Sequence, residues 1–321
     1  MSKHGPYRWA ALRPADVTQW ALLIEALARA DDTDEHYGPQ DLAEELQQHG
    51  VDPQLDTVAV WDGSSLIGFA QVKASHTVDA DGLVRVWLSG GVHPDYRGQG
   101  IGRRLFEISE ERGAALAHER HPGSGAFWRA DGNLEGASVR PLLEHRGYHI
   151  VRYFNQMKRP IPGPVASLRT PAGAVIRTPT AEHCEPLREI HNLAFRDHWG
   201  SSEITRNGWL DHWNSVSGRL SLSSVALDED GAPLAYALCG QHAEGTLYVN
   251  IVGTHPRARG RGLAHACLNH TIALAAADGS YEEIELHVDS DSPTGATRLY
   301  ERLGFSQGRV FAAYQRPIGA H

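Results

Sequence analysis

The sequence is short of three things, and each shortage excludes something. It holds only three cysteines, Cys184, Cys239 and Cys267. That odd number, without paired spacing, argues against a disulfide framework and for a reducing compartment. It has no apolar run near the roughly 18 residues a membrane-spanning helix needs. Its first residues, Met1 to Pro6, lack the apolar stretch of a secretory signal. Net positive charge is missing too: 30 Lys and Arg against 39 Asp and Glu give a formal charge of −9. That balance disfavours nucleic-acid or anionic-membrane partners. A cytoplasmic protein is expected. What is present fits that reading, with 41% hydrophobic and 21% charged residues in 321, enough chain for two domains of about 150 residues each. The 19 histidines are scattered. His265, Cys267 and His270 lie on one helical stretch without converging, so no metal is expected.

The chain repeats itself. Val92-His93-Pro94-Asp95-Tyr96-Arg97-Gly98-Gln99-Gly100-Ile101-Gly102 matches Thr254-His255-Pro256-Arg257-Ala258-Arg259-Gly260-Arg261-Gly262-Leu263-Ala264 at an offset of 162. Leu142 to Tyr148 matches Leu299 to Phe305 at an offset of 157, as does Arg159-Pro160-Ile161 with Arg316-Pro317-Ile318. Ordered landmarks of this kind indicate a duplicated domain. The prolines of Arg159 to Pro164 suit an extended connector, which divides the chain into 1–161 and 162–321.

Within each copy the pattern is mixed α and β. Asp16 and Thr180 are placed to cap helices whose apolar residues recur near 3.6, Trp20, Leu23 and Leu27 in one and Leu187, Ile190 and Leu193 in the other. Val58 to Trp61 and Leu66 to Ala70 flank Asp62-Gly63 as a hairpin, and Val225 to Leu227 and Leu234 to Leu238 flank Asp230-Gly231. A third strand, Leu83 to Val92 or Leu247 to Thr254, runs into the glycine motif, with a helix after it. Ile284 to Val288 alternates as a strand, and a last helix carries Leu299 and Leu303. The fold class is α/β, an α+β mixed sheet built twice.

The motif Arg-x-x-Gly-x-Gly/Ala between a strand and a helix describes an anion site. Its glycines let backbone approach a ligand closely, and a helix start offers free N–H groups and a positive dipole end. Arg97, Arg103, Arg104, Arg257, Arg259 and Arg261 add charge of the right sign. Neither copy has the Lys-Ser/Thr of a P-loop or the spacing of a dinucleotide fingerprint.

His-Pro-x-x-Arg-Gly-x-Gly-Ile/Leu-Gly/Ala, with Gly-Ala-x-x-Leu-Tyr-Glu-x-Leu-Gly-Phe some forty residues later, resembles the GNAT superfamily of acyl-CoA-dependent N-acyltransferases. The likeness covers both halves and is strongest from Val225 to Ile318. It implies two tandem GNAT domains and acetyl-CoA as cofactor. The loops that would bind its pyrophosphate are Arg97, Gly98, Gln99, Gly100, Ile101 and Gly102, and Arg259, Gly260, Arg261, Gly262, Leu263 and Ala264. It further implies a fourth-strand bulge whose main chain pairs with pantetheine, at Val252, Gly253 and Thr254 and at Gly91 and Val92.

The same resemblance makes Tyr300, four residues before Gly-Phe, the acid for the departing thiolate. The first copy aligns Leu143 there, and leucine donates no proton, so the second half is expected to be catalytic and the first not. An ammonium acceptor, with a pKa of about 10.4, also needs a base. Glu244 is one candidate, Tyr248 and Asn250 could hold a water, and Glu285, His287 and Asp289 share a strand face. The acidic run Asp31-Asp32-Thr33-Asp34-Glu35-His36 after the first helix, matched by Phe195 to Trp199, reads as a solvated turn that could also attract a cation. Trp199, Trp209 and Trp213 could wall a pocket or fill core. The expected activity is acetyl transfer to the primary amine of a small molecule, with a non-enzymatic acyl-CoA sensor or a protein acetyltransferase as alternatives.

Overall fold

The structure is a computed structural model that describes residues 7–33, 35–161, 163, 170–196, 198–291 and 295–319. The readings placed on Met1 to Pro6, Asp34, Pro162, Pro164 and Asp197 lie outside the described residues. Elements follow in chain order: β1 Arg8–Ala10, α1 Val17–Asp31, α2 Pro39–Glu45, α3 Pro53–Asp56, β2 Thr57–Asp62, β3 Ser65–Ala74, β4 Val84–Val92, α4 Ile101–Arg120, β5 Ala126–Asp131, α5 Val139–His145 and β6 His149–Pro160. The second copy adds β7 Val175–Arg177, α6 Cys184–Phe195, α7 Arg206–Trp213, β8 Ser224–Leu227, β9 Pro233–Ala243, β10 Thr246–Thr254, α8 Leu263–Asp278, β11 Glu283–Asp289, α9 Ala296–Arg302 and β12 Ser306–Ile318. Among the described residues no helix is long and apolar enough to cross a membrane.

The chain forms two compact units, Met1–Arg152 with Phe311–His321, and Tyr153–Val310. In unit 1 the strands run antiparallel from β1 through β4, β4 and β5 are parallel, and residues 313–318 of β12 close the edge against β5. Unit 2 repeats this with β7 to β10 antiparallel, β10 and β11 parallel, and residues 154–160 of β6 against β11. A boundary at 161/162 therefore divides the copies in sequence but not the compact units, because each copy's last strand ends beside the other's penultimate one. Equivalent strands present equivalent edges, so the exchange leaves the ladder hydrogen bonds unchanged. Arg159 and Pro160 are strand residues, not connector.

Apolar spacing explains how the helices seat. Trp20, Leu23 and Ile24 of α1 are buried and join Phe69 and Leu42 in one cluster. Leu187 and Ile190 of α6 join Trp209, Trp213 and Tyr236 in its counterpart. Each such side chain contributes about 1.5–3 kcal/mol on burial. Trp209 and Trp213 are thus core. The start signals sit one turn earlier than expected. Asp16 accepts the Arg13 N–H at 3.0 Å, and His183 Nδ1 accepts the Thr180 N–H at 3.0 Å, closing a short 3-10 turn before each helix.

Candidate functional site: a duplicated anion loop and an open strand

The two glycine motifs adopt one conformation. His93 and His255 N–H donate back to the Ile67 and Leu234 carbonyls, each at 2.8 Å. Their Nδ1 atoms accept from the Asp95 and Arg257 N–H at 3.3 and 3.1 Å. This turns the chain before the loop begins. Gly98 and Gly100 have φ of +77° and +86°, and Gly260 and Gly262 have +76° and +78°, values that cost other L-residues about 1–2 kcal/mol each. A Cβ on any of the four would meet no atom within 4 Å. The glycines therefore serve the turn and leave open space above it. Gly100 and Gly262 are the N-caps of α4 and α8, and neither helix start is capped by a side chain. Among the described residues no side chain caps the first-turn amides, which lie at the positive end of a 20-residue and a 16-residue helix. Ile101 and Leu263 are buried and anchor the helix starts. Gly102 has room for a methyl group, its nearest neighbours standing 3.6 and 3.7 Å from a built Cβ, which is why Ala264 replaces it in the second copy.

Beside each loop lies an open strand. Pairing of β4 with β5 extends to Leu88↔Ala130, and of β10 with β11 to Tyr248↔Glu285. Past those points, the main chain of Ser89 to Val92 and of Val249 to Thr254 is paired on one side only among the described residues. In β10 the register against β9 slips between Val249↔Cys239 and Ile251↔Leu238, leaving Asn250 extra. That bulge lies two residues ahead of Val252. No such slip interrupts β4, where Gly91 is constrained by packing instead, since a Cβ there would stand 2.3 Å from Leu27. The matching Gly253 is held by Tyr236, whose ring and hydroxyl come within 2.5–2.7 Å of a built Cβ. Tyr236 Oη is 2.9 Å from His191 Nδ1. Burial drives this imidazole down to about 4, and raises the phenol far above its ordinary value.

Tyr300 is 7% exposed on α9, edge to face with Phe305 at 5.9 Å. Its hydroxyl makes no hydrogen bond among the described residues, and burial pushes its pKa up to about 12. Leu143, its counterpart on α5, is fully buried. Glu244 lies apart: it is exposed on the turn between β9 and β10. Seven strand steps separate the start of β10 from Gly253, about 23 Å at 3.3 Å per residue, so the structure does not bring Glu244 to the open end of the strand. What β10 and β11 do bring together is Tyr248, His287 and Glu285. The first two rings meet edge to face at 5.7 Å, and His287 Nε2 is 3.4 Å from Glu285. Burial would raise the Glu285 carboxyl, but hydrogen bonds from His287 and Gln156 with the Lys158 ammonium at 3.2 Å bring it below its ordinary value.

This architecture agrees with comparisons against known proteins. Residues 54–149 match a model described as an acetyltransferase (GNAT) domain, and residues 184–305 match the acetyltransferase (GNAT) family. The chain belongs to the GNAT acetyltransferases. A mycothiol acetyltransferase of Mycolicibacterium gilvum is 33% identical over 236 residues, covering 70% of this chain and 71% of that protein. One of Thermobispora bispora is 28% identical over 325 residues, covering 94% and 97%. A crystal structure of a GCN5-related N-acetyltransferase from Sphaerobacter thermophilus superposes with a TM-score of 0.78 at 25% identity, covering 99% of this chain and 98% of that one. This GNAT chain is therefore an acyltransferase enzyme of tandem construction.

Two features of the GNAT frame were not visible in the motifs. The first is where the loop arginines point. Arg97 forms a two-pronged ion pair with Asp31 at 2.7 and 2.6 Å and donates to the Val92 carbonyl at 3.1 Å. Asp31, read as part of a solvated acidic turn, is thus consumed internally. Arg259 instead donates to the Ala194 carbonyl at 2.8 Å and has no carboxylate partner among the described residues. Arg261 likewise reaches only the Ala172 carbonyl, at 3.2 Å. The second feature is the His191–Tyr236 pair. Neither residue belongs to a motif, and only the fold brings them together.

Proposed function

We propose that this GNAT enzyme moves an acetyl group from acetyl-CoA to the primary amine of a small molecule, and that unit 2 does the chemistry. The observation that carries this is the loop from Arg259 to Ala264, with uncapped amides and unneutralised arginines beside an open strand, backed by the unspent hydroxyl of Tyr300. The residues fit the cofactor: the α8 amides with Arg259 and Arg261 would hold its diphosphate, and the free side of Val252, Gly253 and Thr254 suits an extended amide chain. When bound, acetyl-CoA supplies the activated acetyl group. The chain's own residues then have three tasks. Gly253 and its neighbours present backbone donors where oxyanion charge develops. Tyr300, fully protonated at neutral pH, donates from its hydroxyl toward the departing sulfur. His287, held by Glu285, takes the proton that the acceptor ammonium must lose, directly or through a water near Tyr248. Glu244 is too far along the strand for that role.

The relatives carry mycothiol in their names, which favours an amine of thiol-precursor or amino-sugar type over an antibiotic. Thiol release in the presence of acetyl-CoA and an amine panel tests the reading. Tyr300→Phe should lower kcat about 100-fold or more with little change in KM for acetyl-CoA, His287→Gln should lower kcat, and Glu244→Gln should not. Full turnover by Tyr300→Phe would remove the basis for assigning the acid.

A further inference from the structure

Unit 1 contains a cavity of about 580 Å³ that opens beside its glycine loop and continues to the face of the sheet covered by α1 and α2. Its charges are sorted. The cations on its wall, Arg97 and Arg103, belong to the loop end. Beyond them the wall carries Glu35, Glu45 and Asp131, with Lys73 bonded to Glu45. Tyr37 lines the same wall.

An acidic wall alone would be unremarkable surface chemistry, but two buried donors line the same cavity. Gln71 is 2% exposed and its side-chain Nε2 has no hydrogen-bond partner among the described residues. Trp20 is also 2% exposed and its indole N–H is likewise unpartnered. Leaving a buried donor unmade costs about 1–3 kcal/mol, which a bound oxygen acceptor would recover. Unit 2 has an apolar residue at the position of Gln71. Gly91 pairs with Phe69 and Gly253 with Tyr236, so two residues further on Gln71 corresponds to Leu238, which is buried in apolar core.

We propose that unit 1 binds a second small molecule in this cavity, a primary ammonium compound bearing hydroxyl or carbonyl oxygens. The ammonium lies toward Glu35, Glu45 and Asp131, and an oxygen accepts from Gln71. That the site binds without turnover, with Leu143 in place of a proton donor, rests on the proposed assignment of chemistry to unit 2; that it binds does not.

Methyl NMR of the full chain, titrated with D-glucosamine as the ammonium probe and D-glucose as its neutral counterpart, tests it. Methyl signals of Ile24 and Leu42, which line the cavity, should shift saturably with glucosamine and at least tenfold more weakly with glucose. Gln71→Leu should weaken glucosamine binding at least tenfold while leaving kcat unchanged. Gln71→Met serves the same purpose should leucine disturb folding, and unshifted methyls elsewhere report the fold. Methyls of Ile24 and Leu42 that do not respond to glucosamine, equal affinity for glucose, or an unaffected Gln71 variant would each overturn the proposal. Ile251 reports unit 2 independently, so failure here is distinguishable from failure of the catalytic assignment.

Discussion

The two units carry the same loop at the same dihedral angles, yet they surround it differently. In unit 1 the leading arginine is neutralised by Asp31, the helix position before Gly-Tyr is Leu143, and Leu27 backs the open strand at Gly91. In unit 2 the leading arginine donates to a carbonyl and has no carboxylate partner among the described residues, the helix position is Tyr300, and a Tyr236–His191 pair backs Gly253. Duplication preserved the glycine loop, which depends on backbone, and let diverge the parts that depend on side chains. A cradle shared by both units marks a place for an anionic ligand, not the place of reaction.

The contrast can be broken most severely at the helix position. Tyr300→Phe should cost about 100-fold in kcat, whereas the volume-conserving Leu143→Met should leave kcat within about twofold; steady-state thiol release measures both. Equal losses would mean the two positions do the same work.

Acid sharpens it next. His191 sits at about 4 in the folded protein, below the ordinary value of about 6.5. Below pH 6.5 the unfolded chain takes a proton that the folded one refuses. Stability should therefore fall as pH drops from 6.5 to 4, by roughly 3 kcal/mol at the lower end. Denaturant titrations across that range should show the loss in unit 2, and His191→Leu, which imitates Leu27, should flatten it.

The smallest expected effect concerns the arginines. Arg259→Gln should raise KM for acetyl-CoA about tenfold, one charge-assisted contact of about 1.4 kcal/mol. Arg97→Gln should change KM little and instead lower the stability of unit 1 by about 1 kcal/mol, by stripping Asp31 of its partner.

Much of this was legible in the residues, for identifiable reasons. Asp62-Gly63 marks a hairpin because a two-residue turn demands positive φ, and Gly63 is at +57°; Asp230-Gly231 falls in a longer loop, residues 228–232, in which Gly231 takes +83°. The loops were legible because a backbone conformation that only glycine adopts freely leaves glycine in the sequence. Side-chain geometry was not. Glu244 looked adjacent to the fourth strand in sequence, but strands extend about 3.3 Å per residue and carry their start away from the site. The strand exchange was hidden because Arg159-Pro160 and Arg316-Pro317 are interchangeable as edge partners. Gln71 was unremarkable until burial without a partner set it apart.

If unit 2 alone carries turnover, a negative charge placed in each loop in turn should stop the reaction from one loop and not from the other. Aspartate tolerates positive φ better than most residues, and a Cβ at Gly100 or Gly262 meets no atom within 4 Å. Gly100→Asp and Gly262→Asp therefore each put a carboxylate where the diphosphate would sit, without crowding the fold. The account predicts that acetyl-CoA-dependent thiol release falls about 100-fold in kcat/KM for Gly262→Asp and stays within about twofold of the parent for Gly100→Asp. A loss confined to Gly100→Asp, or shared equally between the two, would contradict it.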